Sequence, residues 1–208
     1  FATLSDPLVS NAADMVALLR QATSLLEQLK FSYLEIKSLH ASPFMNDKHL
    51  VDECFFKHHF LELTEGPEAL FKNFNYKAVR YEINKSQKQK MTVRAAESES
   101  DFAQFYRLYI LTRKRLGLPS QPRLFFKTLW DTFSLAGDAE ILLAESDGSI
   151  IAAHFLLKFN GRVSAEAGGR GIRYSRSSAN HLLFWDGIKS ACANAFRAAD
   201  FGRASPRH

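Results

Sequence analysis

The stretch FYRLYILTRKRLGLPSQP, residues 105–122, sets Tyr106, Tyr109, Thr112, Arg113 and Arg115 along about two and a half helical turns. Aromatic rings mixed with guanidinium groups can hold phosphate and stack on a ring. The same tyrosines also suit a core, and the same arginines suit a helix C-terminus, where the dipole favours cations. A second basic run, GGRGIRYSRSSAN at 168–180, gathers Arg170, Arg173 and Arg176 around Gly171 in what reads as a loop leading into a helix. Backbone N–H groups at such a place can face an anion. Ser178 or Asn180 can equally cap that helix with no ligand present. Arg80 and Lys85 lie on a third basic segment, whose alternative reading is a solvated helix face.

These segments account for an uneven charge distribution. The net charge of +5 is moderate, but residues 72–94 carry seven Lys/Arg against the single acid Glu82. Residues 107–127 carry six against none. The middle of the chain can therefore present a positive surface to an anionic partner. Other chemistries find no support. Cys54 and Cys192 are far apart without C-x-x-C spacing, which suggests neither a zinc site nor a disulfide framework and fits a reducing, cytoplasmic setting. His58 and His59 are adjacent in a strand and point to opposite faces, while His154 and His181 have no ligand partners at metal spacing, so all four read as structural. The Asp200-Phe201-Gly202 triplet is not a kinase signature, because no glycine-rich loop, strand lysine or HRD loop precedes it. No run approaches the ~18 apolar residues of a membrane span.

The elements that must position these residues can be read from periodicity and turn chemistry. AADMVALLRQATSLLEQLK has helical spacing, FSYLEIK at 31–37 alternates like a strand, and a second strand is expected near 54–63. Two consecutive helices follow Pro67, then a short strand at 91–96 and a long helix capped by Ser98 or Ser100 and ended by Gly117. RLFFKTLWDTF gives another helix. Strands at 139–146, 149–159 and 162–168 are joined at Asp147-Gly148 and Asn160-Gly161, both hairpin dipeptides, and so form an antiparallel meander. A helix over 179–196 and a strand over 197–202 complete a mixed α/β (α+β) order.

From residue 91 onward this order, strand, helix, helix, three antiparallel strands, helix, strand, resembles the opening of a GNAT-type acyltransferase fold without its closing helix and two strands. The segments FYRLYILTRKRLGLPSQPRLFF, ILLAESDGSIIAAHFLLKF, ANHLLFWDGIKSA and DFGR, with YLEIK and FNYKAVRYEINKSQK before them, resemble the FemABX family of Fem-type aminoacyltransferases over nearly the whole chain. The resemblance implies two GNAT-like domains in tandem. Residues 1–64 would be the later part of the first, 65–90 connecting basic helices, and 91–208 the second, truncated after its fifth strand. It also implies that Arg80 and Lys85 match a basic R-x-x-x-x-K pattern, that Asn180 begins the helix after the loop, and that Asp200 and Arg203 lie at the active-site splay as candidate catalytic residues. A local pair between Asp200 and Arg203 that finishes the strand is the alternative.

The function so implied is transfer of an aminoacyl or acyl group to an amine on a cell-envelope or polysaccharide-related acceptor. No cofactor would be permanently bound. The donor would be aminoacyl-tRNA rather than acyl-CoA, because the Q/R-x-x-G-x-G/A spacing of a CoA loop is missing from 168–180. The partners would be tRNA and an anionic sugar-nucleotide or lipid-linked precursor. Two rival readings stand beside it: a non-catalytic module binding RNA or a sugar-nucleotide, and an inactive fragment of the enzyme.

Overall fold

The computed structural model describes residues 7–36, 50–51, 57–174 and 177–204. Two compact units are present, one made of Phe1–His58 with Arg203–His208 and the other of His59–Gly202.

In the first unit the described structure is dominated by helix α1, Ala12–Gln28. Asn11 caps it by accepting the Asp14 N–H at 3.0 Å and donating to the Asp14 carboxylate at 2.9 Å. Its end is marked by Lys30 in a left-handed conformation, with the Phe31 N–H closing on the Leu26 carbonyl. Residues 31–36 form no strand. The alternation of FSYLEIK defines two faces, but a strand exists only where a neighbour completes its ladder, and no described residue does so here. The expected strand near 54–63 appears as β1, Lys57–Glu62, which belongs to the second unit from His59 on; residues 54–56 fall outside the described set.

In the second unit, Pro67 opens helix α2, Pro67–Asn73, with its missing N–H at a position where none is needed. The second of the two expected helices follows as a single π turn, Tyr76–Arg80, that runs directly into α3, Tyr81–Lys88. Strand β2, Thr92–Ala95, leads to α4, Glu99–Arg115, and α5, Arg123–Phe133. The meander is β3, Ala139–Ser146, β4, Ser149–Phe159, and β5, Arg162–Arg170. Both of its turns have left-handed backbone at the expected pairs, Asp147-Gly148 and Asn160-Gly161. Helix α6, Ala179–Ala193, and strand β6, Ala198–Ala204, follow.

The six strands are ordered β1-β6-β5-β4-β3-β2, antiparallel from β2 through β5 and parallel between β5 and β6. Alternation along β3 and β4 feeds two cores. Ile141, Leu143, Ala153 and Phe155 meet Phe102, Phe105, Leu108 and Phe126 of α4 and α5. Leu142, Ala144, Ala152 and Leu156 meet Leu183, Trp185 and Ile188 of α6. Arg94 of β2 binds Asp101 of α4 in a two-bond fork at 2.9 and 2.7 Å and reaches Glu145 of β3 at 2.7 Å. The fork holds the Asp101 carboxyl well below its ordinary range and raises the guanidinium further. It joins the edge strand β2 to a helix that covers the sheet.

Candidate active site

The sheet parts between β5 and β6 within the described residues. The two parallel strands share only three register pairs, Arg162 with Ala198, Val163 with Ala199 and Ser164 with Asp200. Past Ser164 and Asp200, β5 continues to Arg170 and β6 to Gly202 with no further pair between the two strands. Each strand bends just past the last shared pair. In β5 the register with β4 jumps from Phe155–Ala167 to Leu156–Ala165, leaving Glu166 as the extra residue of a bulge, which twists and bends the strand that carries it. In β6 the Asp200 carboxylate accepts the Gly202 N–H at 2.8 Å, and Gly202 has φ +76, a value glycine adopts without strain. Beyond the vertex no register pair joins β5 to β6, and the Gly202 and Arg170 N–H groups bond side chains, Asp200 and Thr112 respectively.

Two carboxylates mark this vertex. Asp200 belongs to the last shared pair and lies 3.6 Å from the Arg162 guanidinium of β5. Its described ion pair is thus with Arg162. Arg203 lies in β6, and its side chain falls outside the described set. Glu166, which the sequence analysis does not single out, is solvent-accessible, yet its carboxyl is pushed above the usual range, first by desolvation and then by the charge of Asp200. The only sequence signal for it is an acid within the small-residue strand VSAEAGG.

Beneath the opening, on the α6 face, lies a cavity of about 20 Å³, room for roughly one water molecule. Val163 and Ala165 of β5, Ala199 and Phe201 of β6, and Phe184 and Gly187 of α6 form much of its wall, with His154 of β4 at one side. His154 is 5% exposed, its ring centroid is 4.4 Å from that of Phe184, and its Nδ1 is buried with no hydrogen-bond partner. Burial lowers its pKa to about 4, so the ring is neutral at pH 7. An unfolded histidine takes up its proton near pH 6.5, so the unfolded state binds more protons between pH 6.5 and about 4. This contribution to stability is full above pH 6.5 and declines as the pH falls through that window. Glu166 acts in the opposite sense, because a raised carboxyl pKa gives stability that is lost as pH rises through it. We expect the melting temperature to drop on acidification from pH 7 to pH 5. The drop should be smaller in His154→Leu; an equal drop in both proteins would assign the acid sensitivity elsewhere.

The basic and aromatic residues marked by the sequence fall into separate places. Arg113 donates two hydrogen bonds to the Pro119 carbonyl, at 2.8 and 2.7 Å. The Tyr106 hydroxyl donates to the Gln121 carbonyl at 3.0 Å, and the Tyr109 hydroxyl donates to the Gln121 side-chain oxygen while accepting the Gln121 backbone N–H at 3.2 Å. These three residues hold the connector between α4 and α5. Thr112 has a different task, since its hydroxyl accepts the Arg170 N–H at 3.1 Å and fixes α4 to the far end of β5. Arg115 is exposed at the end of α4. Replacing Arg113 with alanine is expected to cost about 1 kcal/mol and to speed proteolysis within residues 116–122. A chemical-denaturation midpoint and a timed digest would check both.

A second group surrounds the start of α6. Lys85 is 3.8 Å from Glu82, and Glu82 in turn accepts the hydroxyl of the buried Ser178, the residue before the helix. Burial lowers the His181 pKa, with Glu82 raising it and the cation of Arg170 lowering it, so α3, β5 and α6 meet electrostatically at this point. Asn180 lies in the first turn of α6 with its Oδ1 buried and unbonded. Arg80 ends the π turn with its guanidinium 5.3 Å from the Tyr76 ring and its Nε buried and unbonded. Arg173 is exposed and borders a distinct hollow of about 430 Å³ with Gln89, Asp147 and Ser177. Among the described residues no group of His, Cys, Asp and Glu side chains could hold a metal ion, and no helix is long and apolar enough to cross a membrane.

A mixed sheet that parts between two parallel strands, with a helix running between those strands in sequence, defines a GNAT-type acyltransferase domain. Residues 74–208 match the acetyltransferase (GNAT) domain family, and the chain belongs to it. The protein is accordingly an acyltransferase. The crystal structure of FemX is similar over 95% of this chain and 70% of its own, with a TM-score of 0.69 at 12% identity. A conserved protein of unknown function from Bacteroides thetaiotaomicron VPI-5482 is similar over 89% of this chain and 65% of its own, with a TM-score of 0.57 at 12% identity. Both likenesses show the fold, and the first agrees with the Fem-type pattern read from the sequence. No curated protein matches the chain significantly.

Proposed function

We propose that the protein transfers an aminoacyl group from aminoacyl-tRNA to an amine on a cell-envelope or polysaccharide-related acceptor. The observation that carries this reading is the opening between β5 and β6 with the Glu166 bulge at its edge. The acyl carbonyl enters the opening, where backbone N–H groups past the last shared pair turn to the oxyanion that develops on attack. Glu166 receives the proton of the attacking amine. The new N–C bond forms, the ester C–O bond breaks, and the proton leaves with the ribose hydroxyl. No protein nucleophile is required, because positioning the amine against the ester supplies most of what the reaction needs.

Asp200 supports Glu166 by its charge, and Arg203 follows it in β6. The basic segments bind the polyanionic donor and an anionic sugar-nucleotide or lipid-linked acceptor, with Arg80, Lys85, Arg115, Arg170 and Arg173 as candidate contacts. Asn180, in the first turn of α6, is a further candidate contact. Tyr106, Tyr109, Thr112 and Arg113 then act by holding the α4–α5 connector and the end of β5 in place. In this reading residues 1–64 belong to a companion domain of the same kind, residues 65–90 connect the two, and the protein works in the cytoplasm beside its tRNA donor.

The test is incubation of the protein with radiolabelled aminoacyl-tRNA or acyl-CoA and a panel of amine acceptors, amino sugars and muramyl peptides among them, with products identified by mass spectrometry. Label transferred from tRNA supports the proposal. Transfer from acyl-CoA alone replaces the donor, and RNA binding with no transfer from any donor makes the protein a binding module instead.

A further inference from the structure

The second unit has one end at which several elements stop together. The Thr112 hydroxyl accepts the Arg170 N–H at 3.1 Å, which sets the last turn of α4 beside the end of β5. The Gly171 N–H bonds the Ile151 carbonyl at 2.9 Å, near the start of β4, so the Asp147-Gly148 turn lies at this end too. The hollow of about 430 Å³ adds α3, because Gln89 and Met91, which follow that helix, share its wall with Ser146, Asp147, Arg173 and Tyr174. Two kinds of side chain stand out into solvent here. Leu116 and Leu118, just past α4, are 57% and 46% exposed, and Ile172, two residues past the Arg170 bond, is 61% exposed with Tyr174 close behind it. Lys88, Lys90, Lys114, Arg115 and Arg173 are exposed as well, and none has an ion pair among the described residues. The acids nearby are mostly engaged. Glu82 accepts the Ser178 hydroxyl and faces Lys85, Glu145 is bound by Arg94, and Asp147 at the hairpin turn is left as the exposed acid.

Aliphatic tips among unpaired cations suit one kind of partner. RNA rewards cations and aromatic rings and gives leucine or isoleucine nothing to enter. An anionic bilayer rewards both, because the acyl boundary takes the apolar side chains while the headgroup phosphates take the charge. We propose that this end of the unit docks on an anionic lipid bilayer, with Leu116, Leu118 and Ile172 entering the interface, Tyr174 at headgroup level, and Lys114, Arg115 and Arg173 against the lipid phosphates. The connector that carries Leu118 is suited to this, since Arg113, Tyr106 and Tyr109 pin it to α4 and leave little to order on binding. The stretch of β5 that pairs with β4 alone runs out to the same end, so docking turns the candidate site toward the bilayer. Such a surface deepens the reading of a lipid-linked acceptor and rests on it for its purpose, while docking itself needs no acceptor.

Vesicle flotation tests the surface, with phosphatidylcholine alone set against phosphatidylcholine mixed with phosphatidylglycerol, each at low and high salt, and with binding of deacylated tRNA measured alongside. The wild type is expected to bind the anionic vesicles about tenfold tighter than the neutral ones, and salt should weaken that preference. Two double variants divide the contributions. Leu118→Ser with Ile172→Ser keeps every charge, Lys114→Gln with Arg115→Gln keeps every apolar side chain, and each should lose about tenfold in affinity for anionic vesicles. Their melting temperatures should match that of the wild type, because all these positions are exposed. The apolar pair should also leave tRNA affinity unchanged. Absence of binding to anionic vesicles overturns the surface, as does vesicle binding that ignores the loss of Leu118 and Ile172. A tRNA affinity that falls with the apolar pair overturns it too and makes this end an RNA surface. Vesicle binding without transfer from any donor defeats the proposed function and leaves the docking surface standing; transfer from aminoacyl-tRNA without vesicle binding does the reverse.

Discussion

Glu166→Gln is expected to lower the rate of acyl transfer about 10²–10⁴-fold, the range associated with a positioned general base. The substitution keeps the size of the side chain and removes its ability to take a proton. It also removes the repulsion between Glu166 and Asp200, so the folded protein should be as stable as the wild type or more so. The pH dependence separates this outcome from simple damage to the site. A carboxyl whose pKa is raised by desolvation and by Asp200 must lose its proton before it can act, so the wild-type kcat/KM rises with pH through that pKa. The glutamine variant should lack this limb. A variant with wild-type kcat/KM and an unchanged profile would show that the proton leaves by another route.

Gly169→Ala is expected to destabilise the protein by about 3 kcal/mol or to prevent its accumulation as a folded chain. A Cβ on Gly169 would lie 2.3 to 2.4 Å from the carbonyl carbon and oxygen of Leu108 and the nitrogen of Tyr109. These are backbone atoms in the middle of α4 and cannot turn aside. Relief requires α4 to rise from β5, which strains the Thr112–Arg170 bond one residue further on and opens the packing of Phe102, Phe105 and Leu108 against Ala153 and Phe155. Urea unfolding of the variant against the wild type measures the cost, and a difference within about 0.5 kcal/mol would contradict the close approach.

Legibility from sequence followed the range of the interaction involved. The hairpins at Asp147-Gly148 and Asn160-Gly161, the Ser98 cap and the Gly117 stop are decided by neighbouring residues, and each was readable directly. FSYLEIK had the alternation of a strand and forms none at 31–36, since pairing depends on a second segment that alternation does not specify. Glu166 escaped notice for a related reason: a bulge is a mismatch of two strands, and neither strand shows it alone. The basic and aromatic cluster of α4 was legible as a cluster, but its geometry was not. Tyr106, Tyr109 and Arg113 spend their polar groups on the residues just downstream, at Pro119 and Gln121, a local use that composition does not distinguish from ligand binding. His154 had the identity of a functional residue without any neighbour in sequence to support one. Its buried, unpartnered nitrogen became visible only with the sheet and α6 in place.

The adjacent glycines Gly168 and Gly169 have an implication for redesign. One leaves space for His154 on the α6 side and the other for the backbone of α4 on the opposite side, so β5 is gripped from both faces at the end that pairs with β4 alone. That strand cannot be moved or enlarged without losing one layer or the other. The α6 side is less constrained, since a Cβ at Gly187 would make only ordinary contacts. Substitutions that reshape this end of the sheet should therefore be accepted on α6 and refused at the two glycines of β5.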